Sequence, residues 1–131
     1  MYKRQWMLLR VTKKSDVAVL LTNVRQFLKE HDISNKGLLL EIKTIVSELI
    51  YNIQKYTPKG SVNLEFQDKH NLKIEAIDQG SGIENFNLAI QDGYSTSGTL
   101  GLGFASIFRL SDEVEVQTSE QGTIINIKKR V

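Results

Sequence analysis

Between Leu38 and Ala76 the spacing of apolar residues changes from helical to alternating, and a four-residue break makes the change. Leu38, Leu39, Ile42, Ile45, Val46, Leu49, Ile50 and Ile53 recur at the three-and-four spacing of one helix face. Val62, Leu64 and Phe66, then Leu72, Ile74 and Ala76, alternate as strands do when one face is buried. Thr57-Pro58-Lys59-Gly60 divides the two patterns: proline disfavours helix just before itself, and glycine permits the turn. A long amphipathic helix running into a hairpin turned at Asp68-Lys69-His70-Asn71 demands a helix-on-sheet core.

The flanking segments extend this plan. Trp6 to Val11 suits an early strand. Ser15 and Asp16 form an N-cap pair for a helix carrying Val17, Leu20, Leu21, Val24, Phe27 and Leu28, which ends near Glu30-His31-Asp32. That helix is expected to pack on the sheet, the alternative being that the exposed face of Val17 to Leu28 docks a partner. Ser34 or Asn35 can cap the long helix. Ile83 to Ile90 reads as a short helix, Gln91 to Thr99 as a polar loop, and Leu102 to Leu110 as another helix. Val114 to Thr118 and Thr123 to Ile127 make a second hairpin around Glu120-Gln121-Gly122. The aromatic residues Trp6, Phe27, Phe66, Phe104 and Phe108 fall at core-like spacing. The expected fold is a two-layer α+β sandwich, built as a single domain over residues 1–131.

Composition removes several function classes. A net charge of +2 without a clustered basic face argues against a nucleic-acid partner. The Lys128-Lys129-Arg130 run reads as a solvated strand end. Without cysteine there is no disulfide, thiolate nucleophile or thiolate metal site. The two histidines, His31 and His70, are expected at the surface. No apolar run approaches a membrane span, and no signal-peptide core follows Lys3-Arg4, so a cytoplasmic location is expected. A serine hydrolase is disfavoured, because no Gly-x-Ser-x-Gly elbow and no placed histidine base are present.

Three segments carry chemistry. Glu48 and Asn52, at i and i+4, share one helix face off the core, with Lys55 three residues on. A carboxylate there can orient or deprotonate an attacking hydroxyl, beside an amide oxygen suited to Mg²⁺. Asp78-Gln79-Gly80-Ser81-Gly82-Ile83 follows a strand. A carboxylate fixed at that strand end can accept from an exocyclic amine such as adenine N6, and Gly80 and Gly82 let backbone approach a flat ring. Gly98-Thr99-Leu100-Gly101-Leu102-Gly103 has the letters of a dinucleotide fingerprint but neither the preceding strand nor the long βαβ unit. It is not a Walker loop either. Backbone N–H groups opening a helix still hold an anion. The stretch Asp92 to Ser97 before it can close over phosphates.

Together these motifs resemble the GHKL (Bergerat-fold) ATPase family over nearly the whole chain. Asn52 to Pro58 resembles the N-box of histidine-kinase catalytic domains. Asp78 to Ile83 resembles the first glycine box, Gly98 to Gly103 the second, and Gly122-Thr123 the family's Gly-Thr beside the adenine aspartate. The Asp92 to Gly98 run, Arg109 to Val114, and Glu48 where histidine kinases have asparagine make the chain most similar to the serine/threonine switch kinases of bacterial partner-switching systems. Those are the RsbT-type kinases of the stressosome, with the RsbW and SpoIIAB anti-sigma kinases more distant.

The resemblance implies a Bergerat fold with helices on one face of a mixed, mostly antiparallel sheet, and ATP with Mg²⁺ as ligands. It implies Glu48 as general base, Asn52 as the Mg²⁺ ligand, Lys55 as a phosphate contact, and Asp78 on adenine N6 with Thr123 behind it. Tyr56, Gly80, Gly82, Ile83, Ser97, Gly98, Thr99, Leu100, Gly101, Leu102 and Gly103 would shape the nucleotide pocket. The implied substrate is a serine or threonine of a STAS-domain antagonist, after which the kinase passes to a partner such as a PP2C-type phosphatase. Two alternatives stand beside it: an anti-sigma factor that sequesters a sigma subunit, and a nucleotide-binding adaptor without phosphotransfer.

Overall fold

The computed structural model describes residues 3–57, 59–78 and 100–131. Its elements are β1 (Trp6–Thr12), α1 (Val17–Glu30), α2 (Lys36–Tyr56), β2 (Lys59–Asp68), β3 (Asn71–Asp78), α3 (Leu100–Leu110), β4 (Glu113–Ser119) and β5 (Gly122–Arg130). The five described strands form one sheet in the order β1-β2-β3-β5-β4, and every neighbouring pair is antiparallel. The short helix expected over Ile83–Ile90 and the loop expected over Gln91–Thr99 lie outside the described residues.

Helices α1 and α2 each begin where a cap residue stops helical backbone. The Asp16 carboxylate accepts from the N–H groups of Ala18 and Val19, and Asn35 Oδ1 accepts from Leu38 N at 2.9 Å. At the end of α1, Asp32 takes φ 61°, and the N–H groups of Asp32 and Ile33 close back on Lys29 and Leu28. That is a Schellman ending with aspartate where glycine is usual, and aspartate is among the few side chains that tolerate the left-handed region. Helix α2 ends at Tyr56, and the Thr57 N–H still reaches Ile53 O. Gly60 is required where β2 starts, because a Cβ there would sit 2.6 Å from Ile77 O.

Helix α2 packs between α1 and α3 and lies over β1, β2 and β3. Its Ile42, Ile45, Val46, Leu49, Ile50 and Ile53 meet the inward rows Met7, Leu9, Val11; Val62, Leu64, Phe66; Leu72, Ile74, Ala76; and Ile125, Ile127. The opposite sheet face carries no described helix.

The structure corrects four expectations. Trp6 and Phe108 are 57% and 39% exposed, not core, because strand and helix parity turn them away from the covered face. Lys129 is 8% exposed rather than solvated: it follows Ile125 and Ile127 on the inward row of β5. Its ammonium donates to Glu41 Oε2 and to Leu110 O, both at 2.6 Å, joining α2 to the C-terminus of α3. His31 is half-buried, stacked on Phe66 at 4.0 Å and edge-on to Phe27, with Nε2 2.7 Å from Arg4 O. Helix α3 begins at Leu100, two residues before the expected Leu102, so Gly101 and Gly103 belong to its first turn.

Candidate nucleotide and phosphotransfer site

The C-terminal half of α2 faces two ways. Its inner edge and the ends of β3 and β5 line a narrow cleft whose polar walls are Asn52, Asp78 and Thr123, with Tyr56, Leu49 and Ile53 beside them. Its outer edge bounds a shallow depression of about 390 Å³ formed with Glu48, Tyr51, Gln54 and Lys55. Asn52 belongs to both. The i, i+4 spacing thus places Glu48 and Asn52 one turn apart, with the amide between the carboxylate and the strand ends.

Register brings Asp78 to Thr123. The β3–β5 ladder pairs these two residues directly, and Thr123 is 2% exposed with its Oγ1 2.9 Å from Thr118 Oγ1. The space enclosed between Asn52, Asp78 and Thr123 is about 10 Å³, on the scale of a single water.

Electrostatics distinguishes the polar groups. Burial pushes the Glu48 carboxyl above its ordinary pKa, and Glu48 has no hydrogen bond or ion pair among the described residues. Asn52 Nδ2 is buried without a partner among the described residues. A buried unpaired amide costs stability unless something else satisfies it. Gln54 behaves oppositely: its Nε2 donates to Thr12 O at 3.0 Å and Ser15 O at 3.1 Å, fixing the β1–α1 turn against α2. Nothing in the local sequence signals this tie, because its partners lie 42 and 39 residues away. Lys55 Nζ lies 5.6 Å from the Tyr56 ring centroid, a cation–π contact at the rim.

The structure brings Asn52, Tyr56, Asp78 and Thr123 to one cleft, and leaves Glu48 and Lys55 on the outer depression that meets it at Asn52. Gly80, Gly82, Ile83, Ser97, Gly98 and Thr99 lie outside the described residues, and Leu100 to Gly103 enter only as the helical backbone opening α3. An amide rotated to present Oδ1 fits a hard cation that takes its other ligands from phosphates and water. Among the described residues no cluster of three or more Asp, Glu or His is placed to hold a metal by itself.

Comparison with known proteins places this geometry in context. The family described as histidine kinase-, DNA gyrase B- and HSP90-like ATPase matches residues 37–131. The serine/threonine-protein kinase RsbT of Bacillus subtilis (strain 168) is 41% identical over 92 residues, covering 67% of this chain and 69% of that protein. The anti-sigma F factor of Thermoanaerobacter sp. (strain X514) is 34% identical over 101 residues, covering 71% of each. The crystal structure of the RsbU and RsbW domains of Rv1364c from Mycobacterium tuberculosis matches with a TM-score of 0.70 at 14% identity, a likeness of fold. That match covers 97% of this chain and 32% of the other, so the chain spans about a third of that solved polypeptide. None of the described helices is long and apolar enough to cross a membrane. With most of its length inside the matched region, the chain belongs to the histidine kinase-, DNA gyrase B- and HSP90-like ATPase family.

Proposed function

We propose that this chain is an ATP- and Mg²⁺-dependent protein serine/threonine kinase of a bacterial partner-switching system, acting in the cytoplasm on a STAS-domain antagonist. The observation that carries this reading is Glu48. It is half-buried, raised by burial and without a described partner, one turn from an amide left unpaired at the edge of the Asp78–Thr123 cleft. A carboxylate that structure does not use keeps its lone pairs for a proton from outside the chain. The 41% identity to a serine/threonine-protein kinase supports the same chemistry.

In this reading Asp78 accepts from the exocyclic amine of adenine, with Thr123 beside it. Asn52 turns Oδ1 toward the metal, Lys55 meets phosphate, and Tyr56 borders the cleft. The backbone of Gly80, Gly82, Ile83 and the Ser97-Gly98-Thr99-Leu100-Gly101-Leu102-Gly103 run surrounds the nucleotide. Bound Mg²⁺ supplies neutralisation of charge on the phosphate oxygens. Glu48 takes the proton from the substrate hydroxyl as its oxygen forms the new P–O bond and ADP leaves. The new phosphate adds close to two negative charges at a packed interface. That repulsion releases the kinase to a second partner, such as a PP2C-type phosphatase.

An anti-sigma role is the second reading, favoured by the 34% identity to an anti-sigma F factor. Calorimetry with ATP and Mg²⁺, on wild type and Asn52→Ala, is the first test. Binding whose metal dependence disappears in Asn52→Ala supports the site; no binding by the wild type removes both readings. Mass spectrometry of phosphotransfer to STAS-domain proteins, beside pull-down with sigma factors, then separates them.

A further inference from the structure

A second concavity lies away from the nucleotide cleft, between α1 and the N-terminal half of α2. It is an open groove of about 530 Å³. Leu21 and Leu39 are half-buried within it, and Leu40 stands at its mouth, 63% exposed. Arg25, Lys36 and Lys43 rim it, all exposed, and none of its lining residues is acidic. The ion pairs formed among the described residues involve none of these three cations.

We propose that this groove docks an amphipathic helix of a partner protein, apolar along one stripe and acidic along its edges. Leu40 is exposed beside Leu21 and Leu39, which pack inward on the core yet keep part of their surface open to the groove, and contiguous apolar exposure of this kind marks an interaction surface. Three uncompensated cations around an apolar floor are complementary to carboxylates flanking an apolar stripe. Both walls are helices, whose backbone groups are satisfied internally. They offer no ladder to an extended segment, whereas a helix brings its own satisfied backbone and presents side chains at i, i+4 and i+7. The groove shares no residue with the Asn52–Asp78–Thr123 cleft, so docking and nucleotide binding can be tested independently.

The test uses the full chain and two synthetic helix-favouring peptides, each as long as the 14 residues of α1. Both carry leucines along one stripe; one is flanked by glutamates and the other by lysines. Amide shifts of the isotope-labelled chain are followed on titration. The glutamate-flanked peptide is expected to shift residues around Leu21, Leu39 and Leu40, with affinity falling as salt is added. The double variant Lys36→Glu, Lys43→Glu is expected to lose about tenfold in that affinity and to gain for the lysine-flanked peptide. Leu40→Gln is expected to weaken both. All three positions are exposed, and an unchanged ATP isotherm verifies the fold of each variant. The proposal is overturned by shifts on another face or none at all, by equal affinity for the two peptides, or by an unchanged affinity in the charge-reversed variant. Shifts in the groove that grow with protein concentration before any peptide is added would assign it instead to a second copy of the chain.

Discussion

Glu41 and Glu48 stand two turns apart on α2 and are used in opposite ways. Glu41 is held by Lys129, whose ammonium also donates to Leu110 O, so one ammonium joins α2, β5 and the end of α3. Glu48, half-buried like Glu41, has no such partner among the described residues, and its carboxyl is raised by burial alone. Gln54 and Asn52 repeat the contrast: one amide donates twice to backbone, while the other leaves Nδ2 buried and unpaired. A half-buried polar group with an internal partner serves the fold. One held without a partner carries a desolvation cost that only something outside the described chain can offset.

The strongest way to break this contrast is Glu48→Gln. Phosphotransfer is expected to fall by about a hundredfold or more, the usual worth of a positioned base, while calorimetric ATP binding is kept. An unchanged rate removes Glu48 as the base. In the wild type the rate is expected to rise with pH through the raised Glu48 pKa rather than through the ordinary carboxylate range, and the glutamine variant should lack that limb. The stability sign follows from the same direction of shift. A carboxyl raised by folding binds its proton more tightly in the folded state, so stability falls as pH climbs from the ordinary to the raised value. Glu48→Gln should therefore be the more stable protein at neutral pH in thermal melts, with the difference vanishing below the ordinary carboxylate pKa.

Asp78→Asn is next in size. Exchanging a charged acceptor for an amide is expected to weaken ATP binding by about tenfold to a hundredfold in calorimetry, the range of a charge-assisted hydrogen bond. Full retention of affinity would move adenine elsewhere. Lys129→Met tests the structural half of the contrast. It strands Glu41 and the Leu110 carbonyl, and we expect a loss of about 2 kcal/mol in urea unfolding, reduced from the fully buried case because Glu41 is 42% exposed. The smallest effect belongs to the neighbouring Lys128, whose pair with Glu113 is exposed on both sides. Lys128→Ala should change stability by less than about 0.5 kcal/mol; a loss matching Lys129→Met would erase the distinction between the two lysines.

Much of this was legible in the chain. The bounds of α1 and α2 follow from Asp16, Asn35 and Thr57-Pro58, and Glu48 and Asn52 could be placed on one face from spacing alone. Strand parity also held a signal for Lys129: two residues beyond Ile127, it falls on the inward row. Trp6 was harder, because Trp6, Met7, Leu8 and Leu9 are apolar on both faces, and alternation does not say which face a helix will cover. His31 lies past the end of α1, and its stacking on Phe66 depends on a residue of β2 far along the chain.

Local pattern determined the helices, the hairpins and the residue types of the candidate site, since caps, periodicity and turns depend on neighbours a few positions away. Tertiary structure alone decided that β5 enters between β3 and β4. Either β4 or β5 could have buried its apolar row beside β3, so periodicity does not choose between them. Only the packed sheet sets Thr123 against Asp78, brings both to the unpaired amide of Asn52, and draws Lys129 under α2 to Glu41.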